Sequence, residues 1–176
     1  MRKVILYIAM SLDGYIADPK GGVEWLGGQD AASEDMGSYP EFIQTVDTVI
    51  MGWKTYHQVT TELSPDQWVY SGMKSYIITH QKLVATEDIE YTEQPLEELI
   101  ADLKKQEGKH IWICGGASIV GQLIEKNLID RYHITMIPTL LGDGIRLFEK
   151  SHEELKLKLI GTQSYNGMTD LIYERR

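Results

Sequence analysis

One cysteine, Cys114, stands in the whole chain, which excludes an internal disulfide and the usual cluster of zinc thiolates. It lies in the apolar run Ile111-Trp112-Ile113-Cys114, where a buried, reduced strand residue is expected. No metal site is expected from the residue pattern. Basic residues are also scarce: 17 lysines and arginines against 26 aspartates and glutamates give a formal net charge of −9. A field of that sign repels nucleic acid and anionic membrane, so neither is an expected partner. It still permits a phosphorylated ligand, provided that local basic groups or helix N-termini receive the phosphates. No stretch approaches the ~20 apolar residues of a membrane span. Met1-Arg2-Lys3 ahead of apolar residues imitates a secretion signal, but the run breaks at Ser11-Leu12-Asp13-Gly14 without a small-residue cleavage site, so a cytoplasmic location is expected. Internal repeats, low-complexity segments and linkers are missing too, and residues 1–176 read as a single domain. Two nucleotide fingerprints are absent: no Gly-x-Gly-x-x-Gly opens the first helix, and there is no Gly-x4-Gly-Lys-Ser/Thr loop.

The apolar pattern predicts an α/β chain. Val4 to Met10 suits a strand buried on both faces, and Thr48-Val49-Ile50-Met51 a second one ending at Gly52. Between them, Asp13 to Asp30 carries many glycines and few periodic apolar residues, so a long functional loop is expected. Ser38-Tyr39-Pro40-Glu41 has the form of a capping box, with Phe42, Ile43 and Val46 on one face of the helix that follows. A short helix is expected over 56–61, a third strand over 75–79 and a brief one over 89–91. The clearest helix opens at Pro95, with Glu97 and Glu98 in its first turn, Lys104 and Lys105 in its last, and Gly108 as the stop. Its Leu96, Leu99, Ile100 and Leu103 follow the i, i+3, i+4, i+7 rule. Strand 110–114 leads through Gly115-Gly116 into a helix over 117–126, and 132–137 forms a further strand. The C-terminal part alternates at Leu155, Leu157 and Leu159, turns at Asn166-Gly167, and alternates again at Leu171 and Tyr173, which predicts an antiparallel hairpin.

Open α/β sheets bind ligands at the carboxyl ends of their strands. Three junctions there offer small residues, hydroxyls or a basic group: Gly52-Trp53-Lys54-Thr55, Thr79-His80-Gln81-Lys82 and Gly115-Gly116-Ala117-Ser118. Any one of them alone is most often only a turn and a cap. Three on one edge of one sheet suggest an extended ligand with more than one phosphate, and a dinucleotide fits.

Five stretches carry a family resemblance, in the family's order along nearly the whole chain. They are Ile8-Ala9-Met10-Ser11-Leu12-Asp13-Gly14-Tyr15-Ile16-Ala17, Val49-Ile50-Met51-Gly52-Trp53-Lys54-Thr55-Tyr56, Ile77-Ile78-Thr79-His80-Gln81, the segment from Ile111 to Ile119, and Ile134-Thr135 followed by Leu141-Gly142-Asp143-Gly144. Together they resemble the dihydrofolate reductase superfamily, in the branch that includes the reductase domain of riboflavin biosynthesis. The resemblance implies a three-layer α/β/α fold, with a mostly parallel central sheet and a C-terminal antiparallel hairpin. It also implies an NADPH-dependent reductase. Gly52, Lys54 and Thr55 would then hold the pyrophosphate, with Thr79 and His80 along the adenosine ribose. Gly115 and Gly116 would line the nicotinamide half, through the cis peptide that the family has at its glycine pair, and Trp53, Ala117, Ser118 and Ile119 would be further cofactor contacts. Ala9 and Ile16 would touch the nicotinamide, and 13–25 would be the loop covering the site. Trp53 and Ser118 stand where relatives often place arginine for the 2′-phosphate, and Lys54 and His80 would compensate. Segment 31–37 is acidic where riboflavin-pathway reductases carry basic residues for a sugar phosphate.

Hydride transfer needs the donor carbon held close to an electrophilic C=N or C=O in a dry site, and few catalytic side chains beyond that. By the same resemblance Thr135 matches a strand threonine beside the substrate, and Asp35 is the candidate carboxylate for protonation, with Glu34 second. Both acids also read as solvated residues ahead of a helix. His57 and His133 read as helix-surface and strand residues, Trp112 as core, and Trp25 either as pocket wall or as loop anchor. The expected partner is a small molecule, a heterocycle or carbonyl compound such as 5-amino-6-(5-phosphoribosylamino)uracil. Dihydrofolate reduction, nucleotide binding without turnover and a ligand-free structural role remain as alternatives. A homodimer is expected from the resemblance.

Overall fold

The computed structural model describes residues 1–149 and 153–176. Its centre is an eight-stranded sheet in the order β5-β4-β3-β6-β1-β7-β10-β9. The strands are β1 (Val4–Ser11), β3 (Val46–Gly52), β4 (Lys74–Ile78), β5 (Ile89–Thr92), β6 (His110–Gly115), β7 (Arg131–Ile137), β9 (Leu157–Tyr165) and β10 (Met168–Arg175). From β5 across to β7 every pairing is parallel, whereas β10 runs antiparallel to both β7 and β9. The carboxyl ends of the parallel strands therefore share one edge.

Helices cover both faces, which is why the central strands are apolar at consecutive positions rather than alternate ones. Val4, Leu6, Ile50, Ile111 and Ile113 face α3 (Leu96–Lys105) and α4 (Ala117–Glu125), while Ile5, Val49, Met51 and Trp112 face the side of α1 (Tyr39–Ile43). Helix α3 takes its predicted form, burying Leu96, Leu99, Ile100 and Leu103. Arg2 is buried at the opposite edge, where its guanidinium donates to the carbonyls of Leu103 and Lys109 and to Asp47 and Thr48.

Four local readings change. Segment 13–30 is not wholly loop: β2 (Tyr15–Ala17) pairs with the two-residue β8 (Ile145–Arg146). Neither strand is long enough to show a period. The expected capping box does not form, because the Ser38 hydroxyl is spent on side chains across the sheet (below) and gives no cap bond to α1. That helix stops at Ile43, where the Thr45 hydroxyl donates to the Phe42 carbonyl at 2.7 Å, so Val46 opens β3 instead of extending the helical face. The helix expected over 56–61 starts earlier, as α2 (Trp53–Gln58), and ends in a π-turn over Val59–Leu63. The C-terminal hairpin matches its prediction, with positive φ at Asn166 (47°) and Gly167 (74°) as a type I′ turn requires.

Candidate active site

The parallel sheet puts the ends of β5, β4, β3, β6, β1 and β7 in a row. At the centre, Gly52 is the N-cap of α2 and Gly116 the N-cap of α4, and neither helix receives a side-chain cap among the described residues. The two helix starts lie against one another: a methyl group built on Gly52 would meet Ile119 Cγ1 at 3.3 Å, and one on Gly116 would meet Thr55 Oγ1 at 3.4 Å. Two uncapped sets of backbone amides, with only the Thr55 hydroxyl and the Ile119 side chain beside the two glycines, form a cradle that suits phosphate oxygens. The Gly115–Gly116 peptide is cis.

The other residues expected at the cofactor arrange around this gap. Thr55 is half-buried, Lys54 is exposed, and half-buried Trp53 packs its ring near Tyr56 (5.5 Å) and His57 (5.7 Å). Ala117 and Ile119 are buried in α4, while Ser118 is exposed and its hydroxyl accepts from Gln122 Nε2 at 3.4 Å. Thr79 and His80 follow β4, next in the row. The Thr79 hydroxyl accepts the amide of Gln81 at 3.1 Å, and His80 Nδ1 lies 3.3 Å from Glu93, which also pairs with Lys82 at 3.0 Å. Trp53 and Ser118 bring no cation to the row.

At the β1 end, Ala9 stands in register with Thr135 of β7. Ser11 turns the chain into segment 12–25. Its hydroxyl donates to Asp13 Oδ1 at 2.6 Å, and Asp13 in turn accepts the amides of Leu141 (3.2 Å) and Gly142 (2.8 Å). These bonds, the Ser11 one foremost, hold the Asp13 carboxyl below its ordinary range. Tyr15 and Ala17 are buried, Ile16 is half-buried, and Gln58 of α2 donates to the Gly21 carbonyl at 2.8 Å. Segment 12–25 is thus tied to both the 139–142 strand exit and α2. Trp25 is half-buried, with its indole N–H on the Gly22 carbonyl at 3.2 Å.

The α1 side of β7 carries a buried polar network that the sequence did not suggest. Thr135 donates to Asp170 Oδ1 at 2.6 Å, and Asp170 of β10 is its register partner. Tyr165 donates to the same oxygen at 3.2 Å. Asp170 Oδ2 accepts the Ser38 hydroxyl and lies 3.4 Å from His133 Nε2. Ser38 Oγ is itself 2.9 Å from His133 Nε2 and 3.3 Å from the Tyr7 hydroxyl. Asp170 has no exposed surface. Burial alone would raise its carboxyl, but hydrogen bonds from His133, Ser38 and Thr135 more than offset this and leave it below the usual range. Burial first, and then the neighbouring Asp170 charge, push the Tyr165 phenol up; burial likewise raises Tyr7. Ser38, His133, Thr135 and Asp170 are closed off from solvent, whereas Tyr7 and Tyr165, which bond to them, are half-buried.

The carboxylate beside Thr135 is therefore Asp170, not Asp35. Asp35 is exposed ahead of α1, where its Oδ1 accepts the Gly37 amide at 2.9 Å, and Glu34 is exposed next to it. His133 is a strand residue as expected, but within this network, whereas His57 lies on the surface of α2 and Trp112 in the core. Cys114 is half-buried in β6, and burial pushes its thiol up to about 11. The available signal for Asp170 was its parity: Leu171 and Tyr173 mark one face of β10, so Asp170 and Ile172 had to point to the other. Nothing in sequence showed that this other face is also covered.

The family model described as the RibD C-terminal domain matches residues 2–171. The uncharacterized protein YwjB of Bacillus subtilis (strain 168) is 38% identical over 175 residues, covering 99% of this chain and 98% of its own length. A Shewanella sp. PV-4 protein assigned to riboflavin biosynthesis superposes with a TM-score of 0.84 at 28% identity, with 99% of each chain covered. The Thermotoga maritima diaminohydroxyphosphoribosylaminopyrimidine deaminase/5-amino-6-(5-phosphoribosylamino)uracil reductase shares the fold at TM-score 0.73 and 15% identity, with 99% of this chain and 57% of that one aligned. With its mostly parallel sheet, crossing helices and C-terminal hairpin, the chain belongs to the RibD C-terminal domain family.

Proposed function

We propose that the chain is an NADPH-dependent reductase that passes hydride to a C=N or C=O carbon of a small heterocyclic substrate of the 5-amino-6-(5-phosphoribosylamino)uracil kind. The observation that carries this reading is that two uncapped helix starts, at Gly52 and Gly116, and, across β1, a polar network built around Thr135 lie along the same row of strands. The cradle at Gly52, Thr55 and Gly116 suits a pyrophosphate, because α2 and α4 both start there without a side-chain cap and so leave backbone amides and the Thr55 hydroxyl to receive phosphate oxygens. Bound there, the cofactor supplies the hydride.

The chain's own residues then bind, orient and exclude water. Lys54 adds a positive charge at the cradle, and Ala9 leaves a small side chain on β1 where a flat ring can lie. Segment 12–25, tied to 139–142 and to α2, limits the access of water. Tyr7 and Tyr165 meet the substrate; Asp170, Ser38, His133 and Thr135 are positioning residues behind them. Both phenols stay neutral at physiological pH, so they orient the substrate by hydrogen bonding, and the proton that follows the hydride is drawn from water.

Dihydrofolate reduction is disfavoured by the same network. A pterin needs a carboxylate that can accept two N–H groups from its amidine edge. The Asp170 oxygens already take Thr135, Tyr165 and Ser38, with His133 beside them. Cofactor binding is tested by titrating the protein with NADPH and following tryptophan fluorescence, which Trp53 should report. The expected result is micromolar binding, weakened several-fold in Lys54→Ala. Absence of binding at millimolar NADPH would remove the reductase reading.

A further inference from the structure

The row of strand ends extends one strand beyond the junctions considered so far. β5 lies outside β4, and the Thr79 amide donates to the Thr92 carbonyl at 2.9 Å, which joins their exits. Glu93 follows directly. It stands two strands from Gly52, about 10 Å at roughly 4.8 Å per strand, a reach comparable to the ribose arm of a nucleotide whose pyrophosphate lies in the cradle. The opposite direction along the row leads to Ala9 and Thr135, where the reacting ring belongs. The adenosine arm therefore runs toward β4 and β5.

Glu93 is the centre of a small charge cluster at that end. One carboxylate oxygen lies 3.0 Å from Lys82 Nζ and the other 3.3 Å from His80 Nδ1. The side chains of His80, Lys82 and Glu93 are 93%, 84% and 55% exposed. All three can rearrange without disturbing the fold. A carboxylate near the ribose favours a free 2′-hydroxyl, and cations there favour a 2′-phosphate. Here one acid holds both nitrogen donors.

We infer that Glu93 is a specificity-determining residue, which withholds His80 and Lys82 from the 2′-phosphate of NADPH and so narrows the preference of the site for NADPH over NADH. This inference rests on the reductase reading. On binding, the phosphate takes over Lys82 and His80 and turns Glu93 outward to solvent. NADH leaves the cluster intact. The cost of the exchange falls on one cofactor and not on the other.

The test compares dissociation constants for NADPH and NADH in the wild type, Glu93→Gln and Lys82→Ala. Glu93→Gln should tighten NADPH by about three- to tenfold and change NADH by less than about twofold, the scale of an exposed charge contact. The gain should shrink at about 0.5 M salt, where exposed charges are screened. Lys82→Ala should weaken NADPH alone. An unchanged NADPH-to-NADH ratio in Glu93→Gln, with both cofactors still bound, overturns the role of Glu93 and leaves the reductase reading standing. A wild type that binds neither cofactor overturns both.

Discussion

Asp170 accepts hydrogen bonds from a strand neighbour, the hairpin tip and the residue before α1, so three elements are held by one carboxylate. Removing the Thr135 hydroxyl takes away one of its donors; for a buried acceptor the cost is about 1–3 kcal/mol, or a drop of about 2–4 °C in Tm per kcal/mol for a chain of this size. Thr135→Val should lower turnover by about 100-fold through lost orientation, with the dissociation constant for NADPH unchanged because the cradle lies across β1. Thr135→Ser should restore most of the rate. A purely structural role would lower stability in Thr135→Val without this split between turnover and cofactor binding. The Asp170 carboxyl is held below its unfolded value, so its stabilisation is fully present above about pH 4 and is lost as the pH falls through the lower, folded value. Asp170→Asn should flatten that acid limb, as measured by Tm between pH 2 and pH 6 (about the range in which carboxylates titrate). At this scale the sequence was a partial guide. Thr135 was singled out only by the family resemblance, and Gly52 and Gly116 by lying at strand-to-helix junctions on the carboxyl edge of the sheet. Ser38, His133 and Asp170 were not legible, because their meaning comes from residues about 30 to 130 positions away.

Elements with a strong period were read correctly, and short ones were not. α3 combines an opening Pro95, acids in its first turn, lysines in its last and a regular apolar spacing, so its limits follow from local chemistry. β2 and β8, with three and two residues, exist through pairing with each other. α1 was over-extended because Val46 suits the helical face and the following strand equally well. The helix pair at the cradle invites a direct test. At Gly52 the backbone is extended (φ −78°, ψ 161°), which any residue adopts, and an added Cβ would ask Ile119 to give by a few tenths of an ångström. Gly52→Ala should therefore fold with a Tm within about 4 °C of wild type. It should bind NADPH at least about tenfold more weakly, since the methyl group occupies the approach to the α2 amides. An unaltered dissociation constant would place the phosphates elsewhere.

For the whole molecule, a net charge of −9 and a basic deficit say little about fold but much about where an anionic ligand can settle. On the proposed reading NADPH would need local relief from that field, and the uncapped amides of α2 and α4 would supply it in place of arginine. Among the described residues no helix is long and apolar enough to cross a membrane. The strand order and the parallel pairing from β5 to β7 bring the cradle, the Thr135 network and the Glu93 cluster into one row. No local stretch of sequence contains that arrangement. The most direct test of the account is transfer of the label itself: incubation with NADPH deuterated at its transferable position and 5-amino-6-(5-phosphoribosylamino)uracil, followed by mass spectrometry of the product. The account predicts one deuterium, bound to carbon and retained in water. NADPH binding without any deuterium in this compound or in related heterocycles would contradict it, and would leave a nucleotide-binding protein that carries out no reduction.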